Sequence, residues 1–145
     1  MFPPPQPWKQ RTSVDPHREY LAFTARFYLK SFRHVPAFLV NSLAVMKQAN
    51  SAPGIVGWSM GADLLRLEFH NLSAWTDAQS LRRFIQEGPH SRALLAHKHD
   101  LRRKTTFVYF KVLGQDFPLK WKDAIARQDQ QNRADQKAAL RQDAT

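Results

Sequence analysis

The stretch from Pro53 to Lys111 limits what this chain can fold into more than any other. Two runs with strand character, Gly54 to Met60 and Leu65 to Trp75, are separated only by Gly61-Ala-Asp63 and the residue after it. So short a connection admits an antiparallel hairpin and no crossover. A helix opens near Thr76, and Thr105 to Lys111 is a further strand. Upstream, Tyr20 to Phe32 alternates cleanly. Leu21, Phe23, Ala25, Phe27 and Leu29 form one face; Tyr20, Ala22, Thr24, Arg26 and Tyr28 form the other. That pattern marks a strand with one strongly apolar and one mixed face. Pro36 suits the first turn of the helix that follows. Val35, Phe38, Leu39, Leu43 and Met46 recur at helical steps and predict its buried stripe. Asn50-Ser-Ala-Pro-Gly54 ends it. The order β-α-β-β-α-β predicts a ferredoxin-like α+β fold, a four-stranded antiparallel sheet with helices on one face.

Finer features divide the chain. Residues 1–16 hold five of the nine prolines and read as an extended arm, which Phe2 and Trp8 can pin to the surface. Residues 17–128 read as the folded domain. Within it, Thr76 and Gln79 match a capping box, with Leu81, Phe84 and Ile85 as the buried stripe. Gly88-Pro89 predicts a break and a second helical segment from Pro89 to about Asp100. Residues 129–145 read as a charged tail: a short helix near Trp121–Gln128 is expected to pack through Trp121 and then fray.

Composition excludes several chemistries. The chain has no cysteine, so disulfides, thiolate metal sites and a cysteine nucleophile are out. No apolar run reaches the ~18 residues of a spanning helix, and prolines occupy the place of a signal-peptide core. A soluble, cytoplasmic protein is expected. The net charge of +10 is mostly scattered; Arg102-Arg103-Lys104 is the one tight cluster. A helix-free sheet face is an apolar surface that needs a cover. Either a second copy supplies its sheet, making a homodimer, or exposed aromatics stack on single-stranded RNA. The RNA option needs glycines and several aromatics on the strand at Arg66-Leu-Glu-Phe-His-Asn-Leu-Ser-Ala74, which has no glycine, one aromatic and a central Glu68. Nucleic acid is therefore the weaker partner.

The string Phe69-His-Asn-Leu-Ser-Ala-Trp-Thr-Asp-Ala-Gln-Ser-Leu-Arg-Arg-Phe84, followed by Gly88-Pro-His-Ser-Arg-Ala93, resembles antibiotic-biosynthesis-monooxygenase-type proteins of the dimeric α/β-barrel superfamily. Pro53-Gly-Ile-Val-Gly-Trp58 resembles their entry to the second strand, and Pro118-Leu-Lys-Trp-Lys-Asp-Ala-Ile-Ala126 resembles the closing helix of an uncharacterised, spheroidene-monooxygenase-like branch. The resemblance spans about residues 18–128. It implies a homodimer through the sheet and a pocket for a small apolar or aromatic ligand, with either no cofactor or haem. It also implies a pocket role for Trp75, and for His90, after Pro89, the position of an axial histidine where haem is bound. The asparagine that the family's cofactor-free oxygenases and haem degraders carry on the first strand is missing from Thr24-Ala-Arg26-Phe-Tyr28.

Candidate catalytic residues are His90, Arg26 and His70. Arg26 has the charge to anchor an anionic group. His70 shares a strand face with Glu68 and Arg66 and has the makings of an acid–base unit or a polar interface network. Phe27, Trp58, Trp75, Phe84 and His97 are the expected binding residues. Gly57-Trp-Ser-Met-Gly61 matches the letters of a nucleophile elbow, but Gly61 opens a hairpin instead of a helix, so no serine nucleophile is assigned. The function read from these features is a monooxygenase-like protein that binds or oxidises a small molecule, with a non-catalytic binding protein as the alternative.

Overall fold

A computed structural model describes residues 1–143. Its strands are β1 (Lys9–Gln10), β2 (Glu19–Tyr28), β3 (Ile55–Asp63), β4 (Glu68–Trp75) and β5 (Thr106–Leu113). The helices are α1 (Val35–Ser51), α2 (Ala78–Gln86), α3 (Gly88–Ala96) and α4 (Trp121–Asp143). The sheet is antiparallel throughout, in the order β1-β3-β4-β2-β5. Without the short edge strand β1 it is the expected ferredoxin-like sheet. The fifth strand comes from the proline-rich arm, where Lys9 pairs with Trp58 and Gln10 with Gly57. Trp8 lies over Gly57, where any Cβ would strike its ring.

The register explains the layering. Phe23 lies opposite Ser73 and Tyr109, and Phe27 lies opposite Phe69. These side chains face α1 to α3, and the main core gathers there: Phe23, Val45, Ala49, Trp58, Trp75, Leu81 and Phe84. The break between α2 and α3 falls at Glu87, which is extended, and Gly88 follows at φ 60°. The α2 cap is Asp77, whose carboxylate accepts from the Ser80 amide at 2.7 Å; the Thr76 hydroxyl donates to Asp77 in turn. That replaces the expected Thr76–Gln79 box, because a carboxylate next to the helix start is the better acceptor for its free amides.

Two expectations need correction. The first concerns α1. Its buried residues are Phe38, Val45 and Ala49, whereas Leu39 and Leu43 are 44% and 62% exposed. The second concerns the other sheet face, which is not bare. The single helix α4 lies across it, with Ala124 and Gln128 fully buried. Trp8, Val14, Phe117 and Leu119 complete the cover over Tyr20, Val56 and Ala74. The chain's own residues thus occupy the place expected for a partner's sheet or for stacked RNA bases. The tail does not fray after Gln128: the helix continues to Asp143, although residues 133–143 are all exposed.

Candidate functional site

A cavity of about 410 Å³ lies between α1, α3 and the apolar sheet face, with Pro3 and Pro4 of the arm at its border. Phe27, Phe38, Val45, Met46 and Phe69 make its walls apolar, and its lining contains no Asp, Glu, Lys or Arg. Trp58, Trp75 and Phe84 fill the neighbouring part of the core. The volume suits a drug-sized or smaller apolar ligand with a few polar anchors.

Polar groups in the lining are few. His90 enters from the first turn of α3 and is 4% exposed. The Gln48 side chain accepts from its backbone amide at 2.8 Å, and its ring lies 5.0 Å from Phe84. Its Nδ1 is buried with no hydrogen-bond partner. Burial lowers its pKa to about 4, partly offset by the Ile85 carbonyl, so the imidazole is neutral at pH 7. Asn71, on β4 opposite Ala25, lines the same cavity, and its Oδ1 is likewise buried and unpartnered. His97, at the C-terminal end of α3, is tied down. Asn41 Nδ2 donates to its Nε2 at 2.7 Å, and its Nδ1–H donates to Asp100 at 3.0 Å. Asp100 is held below the usual carboxylate range by that bond first, and by His34.

Of the eight residues singled out in the sequence, Phe27, His70, His90 and His97 line the cavity. Trp58, Trp75 and Phe84 do not; they border a small neighbouring void of about 20 Å³. Trp75 is fully buried, with its indole N–H donating to Ser73 at 2.8 Å and its ring against Phe84. Trp58 donates to Asn50 at 2.9 Å. Both are core aromatics whose polar ends are satisfied.

Arg26 and His70 belong to a different environment. The Arg26 guanidinium pairs with Glu68 at 2.7 Å and Asp129 of α4 at 3.0 Å, on the α4 side of the sheet. His70 adjoins the cavity wall, but its ring Nδ1–H donates to Gln128 at 3.2 Å and its ring meets the edge of Trp121. Burial, then the nearby Arg26, lowers its pKa to about 4. The structure therefore keeps Arg26 apart from His90, while His70 borders the same cavity as His90 with its Nδ1 engaged on the α4 side. Asn71 is the residue the sequence reading passed over. Its signal was present: an amide on a strand face otherwise made of Phe69, Ser73 and Trp75.

The lining does not fit haem. A dianionic porphyrin finds no Arg or Lys among the lining residues, Arg26 being behind the sheet. Among the described residues there is no cluster of three metal-ligating side chains, and no helix is long and apolar enough to cross a membrane.

No protein-family model matches this chain, and no curated protein matches it. Solved structures do. An antibiotic biosynthesis monooxygenase superposes with a TM-score of 0.58 at 14% identity, over 64% of this chain and 98% of the other. SnoaB, a cofactor-independent oxygenase from Streptomyces nogalater, superposes at 0.54 with 16% identity, over 68% of this chain and 97% of its own. NE2512, a protein of unknown function from Nitrosomonas europaea, gives 0.55 at 19% identity, over 72% and 99%. The chain has the fold of the antibiotic biosynthesis monooxygenases.

Proposed function

We propose that the chain binds one small apolar or aromatic molecule in the α1–α3 cavity, and that oxygenation of that molecule by O₂ without a bound cofactor is the reaction the site suits. The observation that supports this reading is the pairing of an uncharged, apolar cavity with two buried, unpartnered polar atoms, Asn71 Oδ1 and His90 Nδ1. A buried acceptor without a donor costs about 1–3 kcal/mol. A ligand hydroxyl that reaches either atom recovers that cost. A phenol is such a ligand, and its ring matches the walls. Among the structures sharing the fold is that of SnoaB, a cofactor-independent oxygenase.

His90 acts in this scheme as an orienting acceptor. Its pKa near 4 lies about 6 units below that of a phenol, so full proton transfer would be uphill by about 8 kcal/mol. Asn71 shares the task. The dry cavity keeps water from competing for both acceptors.

1-Naphthol is a suitable probe. Its oxygenation to 1,4-naphthoquinone consumes one O₂ and releases one water. The C4–H carbon and the hydroxyl carbon end as carbonyls, and the four electrons removed reduce O₂. Tryptophan fluorescence titration measures binding, and an oxygen electrode with product spectra measures turnover. Saturable binding weakened in Asn71→Leu, together with O₂ uptake, supports the whole reading. Saturable binding without uptake leaves a non-catalytic binding protein. No binding to naphthol-sized phenols, amines or hydrocarbons overturns the proposal.

A further inference from the structure

α1 is apolar on both sides. Lys47 is its single Lys, Arg, Asp or Glu in 17 residues. With Phe38, Val45 and Ala49 turned to the core, Pro36, Leu39, Val40, Leu43, Lys47 and Asn50 fall in one sector of about 100° on the outer side. Leu39, Val40 and Leu43 are 44%, 66% and 62% exposed. A helix that is apolar all round is normally buried on all sides. Leu95 of α3, the helix packed beside α1, is 72% exposed as well.

The charge around this sector is mainly positive, Glu87 at the N-cap of α3 being its one exposed acid. Lys30, Arg33, Lys47, Arg92 and Lys98 are exposed on α1, α3 and the segments that flank them. Residues 28–51 contain no acid, and residues 88–104 contain only Asp100, which His97 and His34 engage. An apolar stripe with a rim of five exposed cations against one exposed acid is complementary to lipid headgroups of negative charge. A protein partner would have to offer both an apolar groove and a surplus of acids; an anionic bilayer offers both along its whole surface.

We propose that the outer face of α1 docks on an anionic lipid bilayer, with Leu39, Val40 and Leu43 inserted among the acyl chains. Leu39 and Leu43 also border the cavity, so docking sets the cavity mouth against the membrane. A lipophilic molecule then passes from bilayer to cavity without crossing water. That last clause rests on the cavity being a ligand site; the docking does not.

The test is flotation of the full chain with vesicles of equal parts phosphatidylglycerol and phosphatidylcholine, and with phosphatidylcholine alone. The chain is expected to float with the anionic vesicles, to stay behind with the neutral ones, and to be released by salt. Val40→Asp lowers the vesicle partition coefficient about tenfold or more. Lys47→Glu, at an exposed site that leaves the fold intact, lowers it about threefold or more. Neither residue lines the cavity, so both variants retain the 1-naphthol affinity of the parent chain. Loss of naphthol binding in the parent chain with flotation intact would sink the cavity reading alone. Absence of flotation, or wild-type flotation by Val40→Asp, overturns the docking. A dimer in lipid-free buffer that Val40→Asp converts to monomer also overturns it, since a second copy is then the occupant.

Discussion

The two faces of the sheet carry opposite solutions to the same packing problem. On the α4 face, buried polar groups are abundant and most of their bonds close on one another, Arg26 Nε being the one buried atom there without a partner among the described residues. Gln128 donates to Thr24 at 2.8 Å and accepts from His70 at 3.2 Å; Thr24 donates to the Asn71 carbonyl at 2.8 Å. Asn132 donates to Tyr28 at 2.9 Å, and Thr106, which bonds Tyr28 at 2.8 Å, donates back to Asn132 at 2.6 Å. On the α1–α3 face polar groups are few, space is left over, and two buried polar atoms, Asn71 Oδ1 and His90 Nδ1, have no partner. A satisfied network holds a structure in place, while a cavity with orphaned acceptors is an unfinished site whose missing donors a ligand can supply. Both faces contain a histidine displaced to about 4, so the displacement alone does not separate structural from functional groups. The partner bonds do.

The comparison breaks most easily at Glu68. Replacing it with Ala leaves the mostly buried Arg26 with only the half-exposed Asp129. Removing one partner of a buried pair costs about 3–5 kcal/mol, and the remaining Asp129 contact puts the expectation near the lower end, about 3 kcal/mol. Urea denaturation should show the loss while 1-naphthol affinity stays at the parent value. A large loss of affinity would mean that the two faces are not independent.

Acid probes both faces at once. His70 and His90 titrate near 4 in the folded chain and near 6.5 when unfolded. Their folded pKa values are depressed, so the unfolded state binds more protons between these limits. Stability is therefore full above pH 6.5 and falls as the pH drops toward 4, by about 3 kcal/mol at pH 4 for each histidine. His90→Phe should halve that fall. An unchanged slope from pH 7 to 4 in the variant would show that His90 is not held neutral in the wall.

Gln128→Leu is the next smaller effect. It strips Thr24 and His70 of a buried partner together, and should cost about 2 kcal/mol. A neutral outcome in thermal denaturation would mean that water replaces the amide and that the α4 face is less sealed than its burial implies.

How far these faces were legible depends on what kind of pattern each element carries. On β2 the alternation of Phe23 and Phe27 with Thr24 and Arg26 has period two and names both faces correctly, because a strand offers only two directions. On α1 the apolar residues surround the axis, so Leu39 and Leu43 fit a buried stripe as well as Val45 and Ala49 do; only the sheet's position decides. The covering role of α4 was hidden for a different reason. Its inward side is Trp121, Ala124, Gln128 and Asn132, and it seals the sheet largely through indole, amide and carboxylate bonds that hydrophobic periodicity does not register. Trp58 and Trp75 were read as pocket residues because a large aromatic at a strand end serves equally as wall or as core; their satisfied indoles mark them as core. Asn71 escaped because an asparagine was sought on β2, whereas the one that lines the cavity is on the adjacent strand, directly opposite Ala25.

Asn71 also gives the smallest and most diagnostic stability effect. Its Oδ1 has been taken out of water without compensation, so the folded chain already bears that cost. Leucine, of the same branched shape, removes the cost and adds apolar contact. Asn71→Leu should leave stability unchanged or raise it by about 1 kcal/mol. At the same time it should weaken 1-naphthol binding about tenfold, the worth of one well-placed hydrogen bond in a dry site. Opposite signs on stability and affinity are what a site held for a ligand produces. Loss of stability with unchanged affinity would instead make Asn71 part of the scaffold and leave His90 as the cavity's single anchor.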